Sequence, residues 1–275
     1  MKVRVESALA CLQQAAQLQP AVLSTSFGAE DMVLLDLIQR RQLPIAIFTL
    51  DTGRLPEETY RLMQAVEEHY GRCVSVVFPD PQAVQRLVAA IGINGFYDSV
   101  DSRKACCAVR KTEPLARALA GKNAWVTGLR AAQSVTRAQL PARERDGTYG
   151  VEKFNPLHDW SEADVWAYLR AGDVPYNELH DRFYPSIGCA PCTRAITPGE
   201  DIRAGRWWWE NADTKECGLH GKPHSVGVSL GADVSAANVK AEAEDSAGQR
   251  QHADSRQCGL RVRKPKVIEI KEYAL

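Results

Sequence analysis

At 275 residues the chain is long enough to bury one large α/β core, and its 45% hydrophobic and 25% charged residues are an ordinary globular composition. Lys plus Arg and Asp plus Glu both number 34, so the net charge is zero. That argues against a nucleic-acid binder but leaves room for a local arginine cluster on a small anion.

No apolar run reaches the length of a membrane span, and residues 1–20, with Glu6 and several glutamines, lack the apolar stretch of a signal peptide. The expected setting is the cytoplasm, away from any membrane. There, eight cysteines point to metal binding or catalysis rather than to a disulfide framework.

In chain order, residues 7–17 read as an amphipathic helix and 21–26 as a short apolar strand ending in a Gly-containing turn. A helix is expected over 31–40, a buried strand over 45–50, and a helix over 56–70 with Pro56 in its first turn. A strand over 74–78 and a helix over 81–91 follow, then a helix over 111–120 and a strand over 124–128. Apolar runs too uniform to alternate, separated by helices, predict a mostly parallel sheet flanked by helices.

Further on, Ser161 is placed to cap a helix, with Asp164 as a short stand-in for the capping-box Glu and Trp160 stapling onto Val165. That helix should run to about Arg170 and stop at Gly172. Residues 176–206 are irregular and rich in Pro, Gly and Cys, so something other than an apolar core must hold them. From 225 the composition turns to Ala, Ser, Gly, Glu and Asn, that of a disordered tail, with a basic end and a short strand expected over 267–270.

Cys106 and Cys107 are adjacent, and Cys189 and Cys192 form a CxxC far downstream. Two thiol pairs brought together make four soft ligands for an iron–sulfur cluster or zinc, although adjacent cysteines are unusual for zinc. Cys217 stands apart in Lys-Glu-Cys-Gly-Leu-His, where Lys215 and His220 favour the thiolate. Cys11 and Cys73 read as structural.

Three strand ends carry polar, Gly-containing turns: Ser24 to Asp31, Thr49 to Arg54 and Thr127 to Arg130. Such turns offer backbone N–H groups and helix dipoles to an anion at the carboxyl edge of a sheet, so a nucleotide pocket is expected there.

These pieces together resemble the assimilatory sulfonucleotide reductases, specifically their cluster-bearing adenylylsulfate reductase branch. The resemblance rests on Ser-Thr-Ser-Phe-Gly-Ala-Glu-Asp from Ser24, Leu-Asp-Thr-Gly-Arg from Leu50, and Cys-Cys-Ala-Val-Arg-Lys from Cys106 with Pro114 and Leu115. It continues through Gly128 to Arg130 with Gln133, Ser134, Thr136 and Arg137, then Asn155 to Leu157, the CxxC, and Glu-Cys-Gly-Leu-His from Glu216. The segments span residues 20–222 in family order.

The resemblance implies an adenine-nucleotide α-hydrolase-like fold related to PP-loop ATP pyrophosphatases. It implies a [4Fe–4S] cluster on Cys106, Cys107, Cys189 and Cys192, with Cys217 as nucleophile on a mobile C-terminal segment. Ser26, Phe27 and Gly28 would lie by the phosphosulfate, Leu50 and Thr52 near the adenosine, and Lys111, Arg203 and Arg206 at the sulfate end. Gly128, Arg130 and Arg137 join the binding set because their turn sits on the proposed ligand edge.

The expected organisation is an α/β domain over 1–206, a catalytic segment over 207–224 and a tail over 225–275. The substrate would be adenosine 5′-phosphosulfate and the reductant thioredoxin or a glutaredoxin, and a homo-oligomer is left open. Two other enzymes fit parts of the pattern. A 3′-phosphoadenylylsulfate reductase would lack the cluster cysteines, and a PP-loop ATP-dependent RNA thiolation enzyme would carry zinc and an SGGxDS loop, absent here. A nucleotide-binding redox sensor is the non-catalytic alternative. Gln257-Cys258-Gly259-Leu260 echoes the Cys217 motif without its Glu and His, and is read as chance.

Overall fold

The computed structural model describes residues 1–133 and 139–210, all within one compact unit, Met1–Val228. Arg137, Cys217, Cys258 and the tail lie outside the described residues. Six strands form one sheet: β1 (Ala21–Thr25), β2 (Ile45–Leu50), β3 (Val74–Val77), β4 (Ala124–Val126), β5 (Arg143–Asp146) and β6 (Val151–Phe154). Their order is β3-β2-β1-β4-β6-β5, parallel except for the antiparallel edge strand β5.

Helices cover both faces. On one, α1 (Lys2–Gln17), α2 (Ala29–Arg40) and α7 (Glu162–Ala171) bury Leu12, Leu34, Leu35, Val165 and Leu169 with Leu23 of β1 and Phe154 of β6. On the other, Leu115 and Leu119 of α6 (Glu113–Leu119) pack on Val22, Phe48 and Trp125. Leu23 and its neighbour Val22 thus face opposite layers, as the period of two along a strand requires. A strand buried on both sides carries no polar alternation, which is why β1 and β2 read as continuous apolar runs.

Strand β2 and helix α4 (Pro81–Ile91) keep the expected bounds, and α4 starts with Asp80 accepting a 2.7 Å bond from the Ala83 amide and Pro81 in its first turn. Pro56 caps α3 (Glu57–Tyr70) from just outside rather than opening it. At α7 the Ser161 hydroxyl and the Asp164 carboxylate make the reciprocal capping box.

The helix expected over 111–120 begins instead at Glu113, behind a π-helical turn, Ala108–Thr112, that continues α5 (Val100–Cys107). Pro114 has no amide hydrogen to close the regular i→i−4 bond, and a wider turn is one way a helix takes that loss. Lys111 therefore sits in the π turn, and Cys106 and Cys107 on the last turn before it.

Candidate active site

The strand order reverses at β1, whose chain continues to β2 on one side while β4 pairs on the other. A crevice opens where the loops after these strands part, the usual ligand position in such sheets. Here it is a cavity of about 570 Å³, into which Ser26, Gly28, Leu50, Thr52, Lys111, Gly128, Arg130, Arg203 and Arg206 all project. Phe27, between two of these, turns its side chain into the core at 1% exposure, with its backbone at φ 59°.

Asp31, in the first turn of α2, holds the loop after β1. Its carboxylate accepts from the Ser26 amide at 2.6 Å and the Ser26 hydroxyl at 2.9 Å. Burial pushes its carboxyl up from 3.8 to about 6, against the pull of those bonds. The loop after β4 comes so close that a Cβ on Gly128 would stand 2.4 Å from Asp31 Oδ1. Only glycine fits there.

Arg130 is buried in this loop and paired with Glu30 at 2.7 Å, so it is no solvated helix residue. Across the cavity, Arg206 lies so tightly on the loop before the CxxC that a Cβ on Gly188 would fall 2.3 Å from its Nη2. Arg206 Nη1 donates to the Ser186 hydroxyl and the Ile187 carbonyl. This loop adds His180, Asp181 and Phe183 to the lining, and α7 adds Glu162, Trp166 and Arg170. None of these carried a motif, and in an irregular stretch no periodicity marks which side chain turns inward.

Behind the main cavity, Cys106, Cys107, Cys189 and Cys192 all line a second one of about 20 Å³. The last two turn on a short 3-10 helix, Ala190–Cys192, docked by the Ala190 amide on the Arg54 carbonyl at 2.8 Å. Burial pushes the Cys192 thiol up to about 11 and raises Cys106, while Lys111 pulls both down, helped by Arg206 at Cys192 and by Arg110 and Arg54 at Cys106. None of the six described cysteines is joined in a disulfide. Among the described residues, no three His, Cys, Asp or Glu side chains are gathered to hold a metal ion.

The two cavities share a wall made of Cys189, Lys111 and Trp207. Thr52, on the main cavity, places its hydroxyl 3.2 Å from Cys189 Sγ, and its carbonyl accepts from Arg110 Nη1 at 2.6 Å. Residues 207–210, assigned by sequence to the catalytic segment, pack in here: Trp207 is buried, and Glu210 makes a bidentate pair with Arg103 of α5, both bonds 2.8 Å. The guanidiniums of Arg103 and Arg206 lie 4.7 and 4.9 Å from the Trp207 ring. The last described residues are thereby tied to the helix carrying the vicinal cysteines.

Residues 20–195 match the family model of the phosphoadenosine phosphosulfate reductase domain. An adenosine 5′-phosphosulfate reductase from Allochromatium vinosum is 62% identical over 80% of this chain and 86% of its own length. A protein of the same name from Burkholderia cepacia is 59% identical over 72% of this chain and 79% of its own. Among solved structures, a phosphoadenylyl-sulfate reductase from Candida auris aligns with a TM-score of 0.59 at 29% identity, over 69% of this chain and 90% of that one. No described helix is long and apolar enough to cross a membrane.

Proposed function

The chain belongs to the phosphoadenosine phosphosulfate reductase domain family, and from that premise we propose that it reduces adenosine 5′-phosphosulfate to sulfite and AMP, in the cytoplasm, as a step of sulfate assimilation. Two relatives, 62% and 59% identical to it, carry that substrate in their names. The observation that carries the reading is the shared wall, which sets the Lys111 cation between a nucleotide-sized cavity and four cysteines.

Ser26, Gly28 and Gly128 bring two strand-end loops together at the N-terminus of α2, where the helix dipole favours the phosphate. Lys111, Arg203 and Arg206 line the same cavity and offset the charge of the sulfate end. Without that compensation a thiolate would be repelled by two anionic groups. Cys217 is the nucleophile of this proposal, carried on the segment over 207–224, seven residues beyond the Glu210 anchor within it. Its thiolate forms a bond to the sulfonate sulfur, the bond from that sulfur to the bridging oxygen breaks, and AMP leaves with the electron pair.

The Cys217 S-sulfonate is then attacked at Cys217 Sγ by a thiolate of an external dithiol, a thioredoxin or glutaredoxin. Sulfite leaves with the sulfur–sulfur bonding pair, and a mixed disulfide remains. The partner's second thiolate resolves it, so the dithiol ends oxidised and Cys217 returns as thiolate. Two electrons pass by thiol exchange alone.

The donor set round the second cavity, which does not converge on a single ion site, suits a [4Fe–4S] group, in which each thiol would bind its own iron. Its four members are thiols, the ligand iron–sulfur clusters take, and Arg54, Arg103, Arg110 and Lys111 line the same space and would offset a cluster's negative charge. Cys106, Cys107, Cys189 and Cys192 would hold it. When bound, it would supply a structural and electrostatic centre behind Lys111.

The test is anaerobic purification followed by metal analysis and a sulfite-release assay with a dithiol on both sulfonucleotides. Bound iron with turnover of the non-3′-phosphorylated substrate is expected, and Cys217→Ser should abolish turnover while nucleotide binding survives. A colourless, zinc-loaded protein that consumes ATP would refute the proposal.

A further inference from the structure

His180 lines the main cavity from a stretch to which neither the motifs nor the mechanism above give a role. Its Nδ1 lies 2.9 Å from the Tyr184 carbonyl. A carbonyl only accepts, so this nitrogen carries the ring hydrogen and Nε2 keeps a lone pair. Nε2 is buried and has no hydrogen-bond partner among the described residues. The ring is fixed edge-on to Trp166, another lining residue, with centroids 5.3 Å apart at 79°. His180 thus keeps an oriented acceptor beside the cavity, at an atom with almost no solvent contact, which a ligand reaches only as the lining adjusts.

Burial also lowers the His180 pKa from 6.5, which keeps the ring neutral. Glu30, Asp181 and Glu162 face it from α2, its own loop and α7, and pull the other way, Glu30 being itself paired with Arg130.

We infer that His180 Nε2 accepts a hydrogen bond from the nucleoside half of the bound nucleotide and so selects for a donor there. The inference deepens the nucleotide reading of the cavity and rests on it. A phosphosulfate at neutral pH offers acceptor oxygens only, so it has nothing to give a lone pair. An adenine nucleotide has its donors on the ribose hydroxyls and the base amine.

The experiment measures binding of AMP, 2′-deoxy-AMP, 3′-deoxy-AMP and inosine monophosphate by calorimetry to the wild type and two variants. One analogue, the one lacking the donor that His180 meets, should bind the wild type about tenfold more weakly than AMP. His180→Asn can keep the bond to Tyr184 but has no atom at the Nε2 position. In it, AMP should weaken by the same factor and the discrimination should vanish. His180→Gln puts a carbonyl near Nε2 and should restore part of both.

A structural role alone would weaken every nucleotide alike and leave the discrimination unchanged in His180→Asn, which overturns the inference. Should that variant fold poorly, ¹⁵N-histidine spectra of the wild type decide instead. The Nε2 resonance must shift on AMP addition, and a stationary resonance sinks the inference. Failure of AMP to bind the wild type at all would refute the nucleotide reading itself, a result distinct from loss of selectivity.

Discussion

The Arg103–Glu210 pair allows a quantitative test of how the chain's last described residues are held. Both side chains are nearly sealed from solvent, at 1% and 2% exposure, and the bidentate geometry satisfies two donors of the guanidinium at once. Removing Glu210 alone leaves a desolvated cation on α5, against the Trp207 ring, with Cys107 among its remaining hydrogen-bond partners. Breaking such a pair costs about 3–5 kcal/mol, whereas replacing both members by apolar groups of similar volume is often close to neutral. Glu210→Ala should therefore lower the urea midpoint by roughly 1–1.7 M, taking a slope of about 3 kcal/mol per M for a chain of this size. Glu210→Gln should fall between, and Arg103→Met combined with Glu210→Leu should recover most of the loss. The assay is equilibrium unfolding under argon, with wild type, Arg103→Met, Glu210→Leu and the double variant compared as a double-mutant cycle. Additive losses in the cycle, or a Glu210→Ala protein within about 1 kcal/mol of wild type, would show that the pair does not act as a unit and refute the reasoning.

The nucleotide loops give three further expectations. Gly128→Ala drives a methyl into Asp31, whose backbone nitrogen is also within 3.3 Å, so stability should drop by about 1–3 kcal/mol and AMP affinity with it, measured by thermal shift and calorimetry. Asp31 has a folded pKa raised from 3.8 to about 6, so the folded state binds more protons between those values. Its contribution is present in full below pH 3.8 and is lost as pH rises through about 6. Asp31→Asn should accordingly gain up to about 2–3 kcal/mol relative to wild type between pH 4 and pH 7.5 in urea titrations, and an unchanged difference would refute the assignment. Finally, Cys106→Ser should strip bound iron and colour, whereas Cys11→Ser, at a thiol that burial holds up at about 11, should keep both.

What the sequence made legible follows from which side chains face water. Strand β2 is buried on most of its residues, and its run of Ile, Ala, Ile, Phe, Thr and Leu marks both its bounds. The α7 cap was readable because the capping box is a local bond between residues three apart. The hairpin of β5 and β6 was not. Strand β5 is Arg-Glu-Arg-Asp, so no apolar alternation reveals it. In β6, Lys153 is buried at 4% by lying over the Trp125 ring and pairing with Glu144 of β5, which composition cannot foresee. In the site, the glycine-bearing turns were visible because close backbone approach leaves glycine in the sequence. His180 and Asp181 were not, since nothing local distinguishes an inward-facing side chain in an irregular loop, and Trp166 was not because on α7 it reads as an ordinary helix residue.

The same distinction explains how the two cavities come to be joined. A separate cysteine site and a separate nucleotide site would need only that each set of residues converge. Here the turn after β2 serves both: Thr52 lines the nucleotide cavity, its hydroxyl meets Cys189 Sγ, and its carbonyl receives Arg110 from the π turn that also presents Lys111. Gly53, at φ 71°, turns the chain there, and Arg54 next takes the CxxC loop on its carbonyl. Any shift of the CxxC loop must therefore displace Thr52, and any displacement of Thr52 reaches Arg110 and the turn holding Lys111. A group bound among the four thiols would fix the position of Lys111, the cation proposed to face the sulfate end, without exchanging an electron with it. That is the physical reason a two-electron thiol reaction can depend on residues placed behind its substrate pocket.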